Sequence, residues 1–283
     1  MKAAVCFLSA FALFGASGGN LEEARKLYHL CDFDRSLQIL RALPAKDAAA
    51  WELIGRNYYG LADFHRATDA LEKAAALDPG NSVTALWLGR AYGRRAETSS
   101  PFTAPGYASK ARQYFEKATQ LDPHNLDAQS DLFEYYLEAP GILGGGWDKA
   151  SAVAARIAVL NPSEGHWAQA RLAEKRKEYS TAEAHLRRAV EAAPQQVGRL
   201  LDLARLFTRQ GRNQEADQSL ARAEQIAPDS PKVLFARAEI YVHSRRNLPM
   251  ARQLLVRYLS LTVTPDDPPK AEAEKLLKQA QGG

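Results

Sequence analysis

One spacing pattern constrains this chain of 283 residues more than any other. Trp51, Ile54, Gly55 and Tyr58 are followed by Ala67, Leu71, Ala74 and Pro79. The same order returns as Ala85, Leu88, Gly89 and Tyr92, then Ala111, Phe115, Ala118 and Pro123, with a wider gap between the halves. Within each half the apolar residues keep helical spacing, so each half reads as one helix. Gly55, Gly89, Ala67 and Ala111 stand where two antiparallel helices must approach closely, small residue against large. Asp78-Pro79, Asp122-Pro123, Asn161-Pro162, Ala193-Pro194 and Ala227-Pro228 end second helices, because the residue before a proline is pushed out of the helical region.

Further copies run down the chain. Leu132 and Tyr136 go with Ala150 and Pro162; Ala182, Leu186, Ala189 and Pro194 follow; then come Leu203, Ala204, Phe207, Ala216, Leu220, Ala223 and Pro228. A degenerate copy holds Ala238, Tyr241, Ala251 and Leu255, and an incomplete first one is visible in Asp32, Phe33, Arg35 and Leu40. The pattern resembles the tetratricopeptide repeat, W-x2-L-G-x2-Y, then A-x3-F, then P, with a period of about 34 residues. The resemblance spans roughly residues 20 to 266 and is fullest at 48 to 81, where Ile54 replaces Leu and Leu71 replaces Phe. The units around 163 to 196 and 231 to 266 lack most of the large signature residues. The resemblance implies an all-α, right-handed solenoid of about seven antiparallel helical hairpins, each burying its face against its neighbours. The array is expected over residues 19–266 and a capping helix and tail over 267–283, with Asp267 as N-cap, Pro268 in the first turn, and Leu276 and Leu277 on the helix.

The first residues point outside the cytoplasm. Met1 and Lys2 precede an apolar run from Ala3 to Phe14, then Gly15, Ala16, Ser17, Gly18 and Gly19, the layout of a secretory signal over residues 1–18. A periplasmic or secreted location is therefore expected. A membrane association would require that this segment stay uncleaved, and it is short for a span of about 20 apolar residues.

Catalysis finds little support. His29, His65, His124, His166, His185 and His243 are scattered and match no metal spacing, and no nucleophile elbow, Walker loop or dinucleotide fingerprint occurs. Gly144, Gly145 and Gly146 lack the lysine and Ser/Thr that phosphate binding needs. No enzyme, no cofactor and no metal are expected. Cys31, the sole cysteine after the signal, rules out an internal disulfide and reads as a small apolar residue near a hairpin turn. The formal net charge of +4, one unit less without Lys2, is too slight to imply nucleic acid.

Binding is better supported, because the first helices of stacked hairpins line up along one face. One residue past the small signature position lie Arg56, Arg90, Glu134, Arg171, Arg205 and Glu239; four further on lie Gly60, Arg94, Glu138, Lys175, Arg209 and His243. Three before it lie Glu52, Leu86, Ser130, Trp167, Leu201 and Phe235. Much of that wall is basic, with apolar surface beside it. The candidate groove residues are Arg56, Arg90, Arg94, Trp167, Arg171, Arg205, Arg209 and Phe235, suited to an extended peptide with acidic groups. Two insertions, within Gly93 to Lys110 and Ala139 to Trp147, read as loops on one edge, and their aromatics Phe102, Tyr107 and Trp147 form a second candidate surface. The expected function is an exported scaffold or adaptor that binds a protein or peptide, with an acidic one favoured; the alternative is a membrane-tethered structural or assembly factor of the cell envelope.

Overall fold

The small-against-large crossings written in the repeats become helical hairpins in three dimensions. The computed structural model describes the backbone of residues 10–282 and side chains over 19–282. It is all-α, with no strand among the described residues. The expected signal over 1–18 lies outside the described side chains, and the expected cleavage point falls within helix α1, which runs Ala10–His29. Among the described residues no helix is long and apolar enough to cross a membrane.

The chain divides into two compact units, Met1–Leu121 and Asp122–Gly283. The first unit contains α1, then α2 (Phe33–Ala42), α3 (Ala48–Gly60), α4 (Phe64–Leu77), α5 (Ser82–Glu97) and α6 (Ala104–Leu121), paired as three hairpins. Asp32, Asp47, Asp63 and Asn81 each cap a helix by accepting a backbone N–H three residues on, at α2, α3, α4 and α5 in turn. In α3 and α5, Gly55 and Gly89 sit directly under a partner side chain. A Cβ on Gly89 would lie 2.4 Å from the Phe115 ring, and one on Gly55 would lie 2.5 Å from Leu71 Cγ. That is why the signature demands glycine there.

The second unit contains α7 (Leu126–Glu138), α8 (Trp147–Leu160), α9 (Pro162–Lys175), α10 (Tyr179–Ala192), α11 (Val197–Arg209), α12 (Asn213–Ile226), α13 (Pro231–His243), α14 (Leu248–Ser260) and α15 (Lys270–Gln281). The first eight pair as four hairpins, and α15 packs on α13 and α14. Ala150, Ala182, Ala216 and Ala251 are wholly buried at the second-helix crossings, as Ala67 and Ala111 are in the first unit. The terminal helix starts later than the Asp267 cap predicts. Each proline disfavours helix at the residue before it and Pro269 is itself extended, at φ −61° and ψ 139°, so the helix begins only after both. Asp267 instead closes a local turn, accepting from Thr264 N and Oγ1 at 2.9 Å. Leu276 is buried beneath the helix and Leu277 is half-buried.

Between the helices of most hairpins one residue takes the left-handed conformation: Cys31, Ala62, Lys177, Gly211 and Arg245, with φ from 51° to 73°. Each closes a Schellman turn, as in Asp63 N to Tyr58 O at 2.9 Å and Glu178 N to Ala173 O at 2.9 Å. Cys31 is thereby a turn residue. The hairpins with insertions differ. In α5 and α6 the extra residues lengthen both helices, to 16 and 18 residues, and leave only a short connection, so the expected long loop is mostly helix. The α7–α8 connection holds a 3-10 turn, Gly141–Leu143, closed by Gly144, Gly145 and Gly146; a Cβ on Gly145 would meet Ala139 O at 1.8 Å. The glycine run is a packing device.

Candidate functional site

The first-helix face of the amino-terminal unit is built from α1, α3 and α5. Arg56 on α3 has its guanidinium between two rings, 4.8 Å from the Tyr28 centroid on α1 and 4.7 Å from that of Trp87 on α5. Its Nε donates to Tyr28 Oη at 3.4 Å, and its ion pair is long and within its own helix, to Glu52 Oε1 at 3.5 Å. Glu52 is itself held by Thr84 Oγ1, which donates to it at 2.6 Å across the hairpin boundary. Arg90 lies over the Trp87 ring at 5.1 Å. Arg94 lies over Phe64 at 5.3 Å and pairs with Glu97 at 2.6 Å. Arg56 lines a cleft of about 630 Å3 together with Arg25, Tyr28, His29, Glu52 and Asn81. The face is thus a cation–aromatic stack beside an open cleft.

The second unit carries the same row of positions and a different chemistry. Arg171 on α9 holds Glu134 on α7 through two parallel bonds, Nε to Oε1 and Nη2 to Oε2, both 2.9 Å. It also reaches Glu138 at 3.3 Å and Glu174 at 3.4 Å. Hydrogen bonding to Glu134 is the main cause that holds the Arg171 guanidinium above its ordinary range. Lys175 pairs with Glu138 at 2.7 Å, Arg209 with Glu174 at 2.6 Å, and Arg205 with Glu239 at 3.1 Å and with Asp202 at 3.4 Å. Beneath this ladder Arg199 joins Asp202 at 2.7 Å to Glu164 at 3.0 Å. Burial pushes the Asp202 carboxyl up, against the pull of Arg199 and Arg205. The predicted basic wall of Arg171, Lys175, Arg205 and Arg209 is therefore matched by carboxylates from neighbouring first helices.

The predicted apolar surface shrinks for a steric reason. Leu86, Leu201 and Phe235 are buried between adjacent helices, at 3%, 4% and 5% exposure, and Phe235 packs on Tyr258 with ring centroids 5.4 Å apart. Phe235 is mostly packed and contributes only a small area to the cleft that it lines with Trp167, Leu201 and Arg205. Trp167 is half-buried, set against Phe133 at 5.6 Å and beneath Arg199 at 5.1 Å. Of the insertion aromatics, Phe102 is 96% exposed. Tyr107 stacks on Tyr92 at 6.1 Å under Arg95 at 4.3 Å, and Trp147 carries Arg176 at 3.6 Å. Phe102 and Tyr107 belong to the first unit and Trp147 to the second.

Sequence reasoning missed Asp202, Glu164 and Arg199. The signal was present in the three-residue spacing of Arg199, Asp202 and Arg205, which places all three on one helical face. Among the described residues no group of three or more His, Cys, Asp or Glu side chains converges as a metal cage.

Two family models, both of the tetratricopeptide repeat, match the chain, one over residues 173–240 and the other over 48–81 and 106–125. The chain carries tetratricopeptide repeats over these residues. Solved repeat structures of the same fold include a thermophilic tetratricopeptide repeat protein of Thermus thermophilus, 20% identical with a TM-score of 0.55 over 68% of this chain and 98% of that one. A tetratricopeptide repeat protein of Parabacteroides merdae is 15% identical, with a TM-score of 0.60 over 94% of this chain and 99% of that one. The APC/C hetero-tetramer Cut9–Hcn1 offers a chain 16% identical, with a TM-score of 0.51 over 91% of this chain and 48% of that one. No curated protein matches by sequence. At these identities the likeness is one of fold.

Proposed function

We propose that this repeat protein is an interaction scaffold that seats a partner polypeptide on the first-helix face of its amino-terminal unit. The observation that carries this reading is Arg56, stacked between Tyr28 and Trp87 at the edge of an open cleft and tied to Glu52 by a long intrahelical pair. A guanidinium held between two rings keeps N–H donors that can serve a carboxylate or a backbone carbonyl, which suits an extended acidic segment. In the second unit an acidic segment would first have to displace Glu134, Glu138, Glu174 and Glu239, so that face serves packing between hairpins.

Export accompanies the proposal, supported by Lys2, the apolar run from Ala3 to Phe14 and the small residues up to Gly19. The reading is of a binding protein and not of an enzyme. The test is to capture partners by crosslinking from an envelope extract and then to measure affinity for the captured segment. Arg56→Glu is expected to weaken binding at least about tenfold, with the weakening larger at low salt because screening lengths shorten as salt rises. Unchanged affinity in Arg56→Glu, with loss in a Phe102→Ser variant, would move the binding surface to the α5–α6 connection.

A further inference from the structure

Two histidines meet in the fifth hairpin, at places where the second holds a tryptophan and an alanine. Ala170, Ala182 and Leu186 stand in the places of Gly55, Ala67 and Leu71. On that alignment His166 takes the place of Trp51, and His185 that of the buried Ala70. One imidazole comes from α9 and the other from α10, and both are half-buried. Their Nδ1 atoms lie 3.3 Å apart, with ring centroids 5.5 Å apart and planes inclined at 40°. The first-helix face uses neither ring.

Two ring nitrogens at this distance share either a proton or a cation. A tetrahedral metal with metal–nitrogen bonds of about 2.0–2.1 Å holds neighbouring nitrogen ligands about 3.3–3.4 Å apart. The observed separation is that edge length, set by two helices packed along their whole length. The ligand must be neutral imidazole. Arg188 is a cation close enough to act on His185, and it weakens any bound metal. Because no third protein ligand converges there among the described residues, the remaining coordination positions belong to water, as in an open, exchangeable site.

We propose that His166 and His185 form a two-imidazole site for a divalent transition-metal cation of the Zn2+ or Cu2+ class. The experiment uses the tag-free full chain at pH 7.5, titrated calorimetrically with CuCl2, NiCl2, CoCl2 and MgCl2. One site per chain is expected, with affinity in the order Cu2+, Ni2+, Co2+ and no binding of Mg2+, as imidazole ligation dictates. His166→Gln and His185→Gln should each weaken Cu2+ binding at least about tenfold, whereas His65→Gln should leave it unchanged, since a chelate loses most of its affinity with one arm. Should His185→Gln fail to fold, His166→Gln decides alone. Paramagnetic broadening of ring-proton signals supplies a second reading: substoichiometric Cu2+ should broaden His166 and His185 before the other four histidines. Absence of Cu2+ binding in the wild type, equal affinity in His166→Gln, or broadening elsewhere first would each overturn the assignment.

Discussion

Arg56 and Arg171 occupy the same place on their first helices, yet they have opposite fates. Arg56 is sandwiched by Tyr28 and Trp87 and makes a long ion pair; Arg171 is clamped by Glu134 from the neighbouring first helix and reaches Glu138 and Glu174 besides. A repeat position therefore does not fix its own role. Arg171 meets Glu134, the residue in the same position one repeat away, whereas Arg56 meets rings from other positions on the neighbouring first helices, its own counterpart one repeat on being Arg90. Between two rings Arg56 keeps only a long ion pair within its own helix; opposite a glutamate Arg171 becomes a strut between hairpins.

Reversing the strut strains this contrast most severely. Arg171→Glu places a fourth carboxylate among Glu134, Glu138 and Glu174 and should cost about 2–3 kcal/mol in urea unfolding, the scale for leaving desolvated charges unpaired. A loss under about 0.5 kcal/mol would mean that the ladder is solvated ornament. Arg205→Glu, which would face Glu239 and Asp202, should follow with about 1–2 kcal/mol. Arg56→Glu, in contrast, should cost about 1 kcal/mol or less in stability, the worth of its cation–aromatic contacts at a partly exposed site, while it removes partner binding.

An acid titration sharpens the same contrast on the outer side of the second unit. Glu183 is held below its ordinary value of 4.5 chiefly by hydrogen bonding from Arg212, with Arg187 adding to it. A carboxylate depressed in the folded state contributes stability above its unfolded pKa and loses it as pH falls through the folded one. Wild type should therefore exceed Glu183→Gln by about 1 kcal/mol at pH 7, and the gap should close as pH falls from the ordinary value of 4.5 through the lower folded one. A gap independent of pH would reject the pair. The smallest effect belongs to the turns, which the two units share: Lys177→Gly should stabilise by roughly 0.5–1 kcal/mol by relieving a left-handed side chain, and Ala62→Gly should do the same in the first unit. Opposite signs in the two units would show that the difference between them extends beyond the face.

The hairpins are legible in the sequence because their crossings demand small residues at fixed places: Gly55 against Leu71, Gly89 against Phe115 and Ala67 at full burial. The turns are only partly legible. Cys31, Ala62, Lys177 and Arg245 all take a conformation that glycine prefers, and Gly211 alone announces it. The face is harder to read, for an instructive reason. Written as a row, Glu134 stands next to Arg171, Arg205 next to Glu239, and Glu138 next to Lys175, and each adjacent pair in the row is an ion pair in space. Counting the row's charge gives a basic wall; reading its neighbours gives a ladder. Phe235 and Leu201 are more buried than the row suggests because they pack between helices, whereas Glu52, Ser130 and Trp167 at the same place are half-buried. The C-terminal cap lies later than its signals suggest because two consecutive prolines delay a helix that one would start.

The two faces differ in how strongly their arginines are already engaged, and a pair of double-mutant cycles measures that directly. One cycle takes Glu134→Gln and Arg171→Gln, the other Glu52→Gln and Arg56→Gln, with unfolding free energies by urea at the same pH and salt. The expected coupling is about 1–3 kcal/mol for Glu134 with Arg171, as for a bidentate pair, and no more than about 0.5 kcal/mol for Glu52 with Arg56, as for an intrahelical pair. Equal couplings, or a larger one for Glu52 with Arg56, would contradict the division of roles between the two faces.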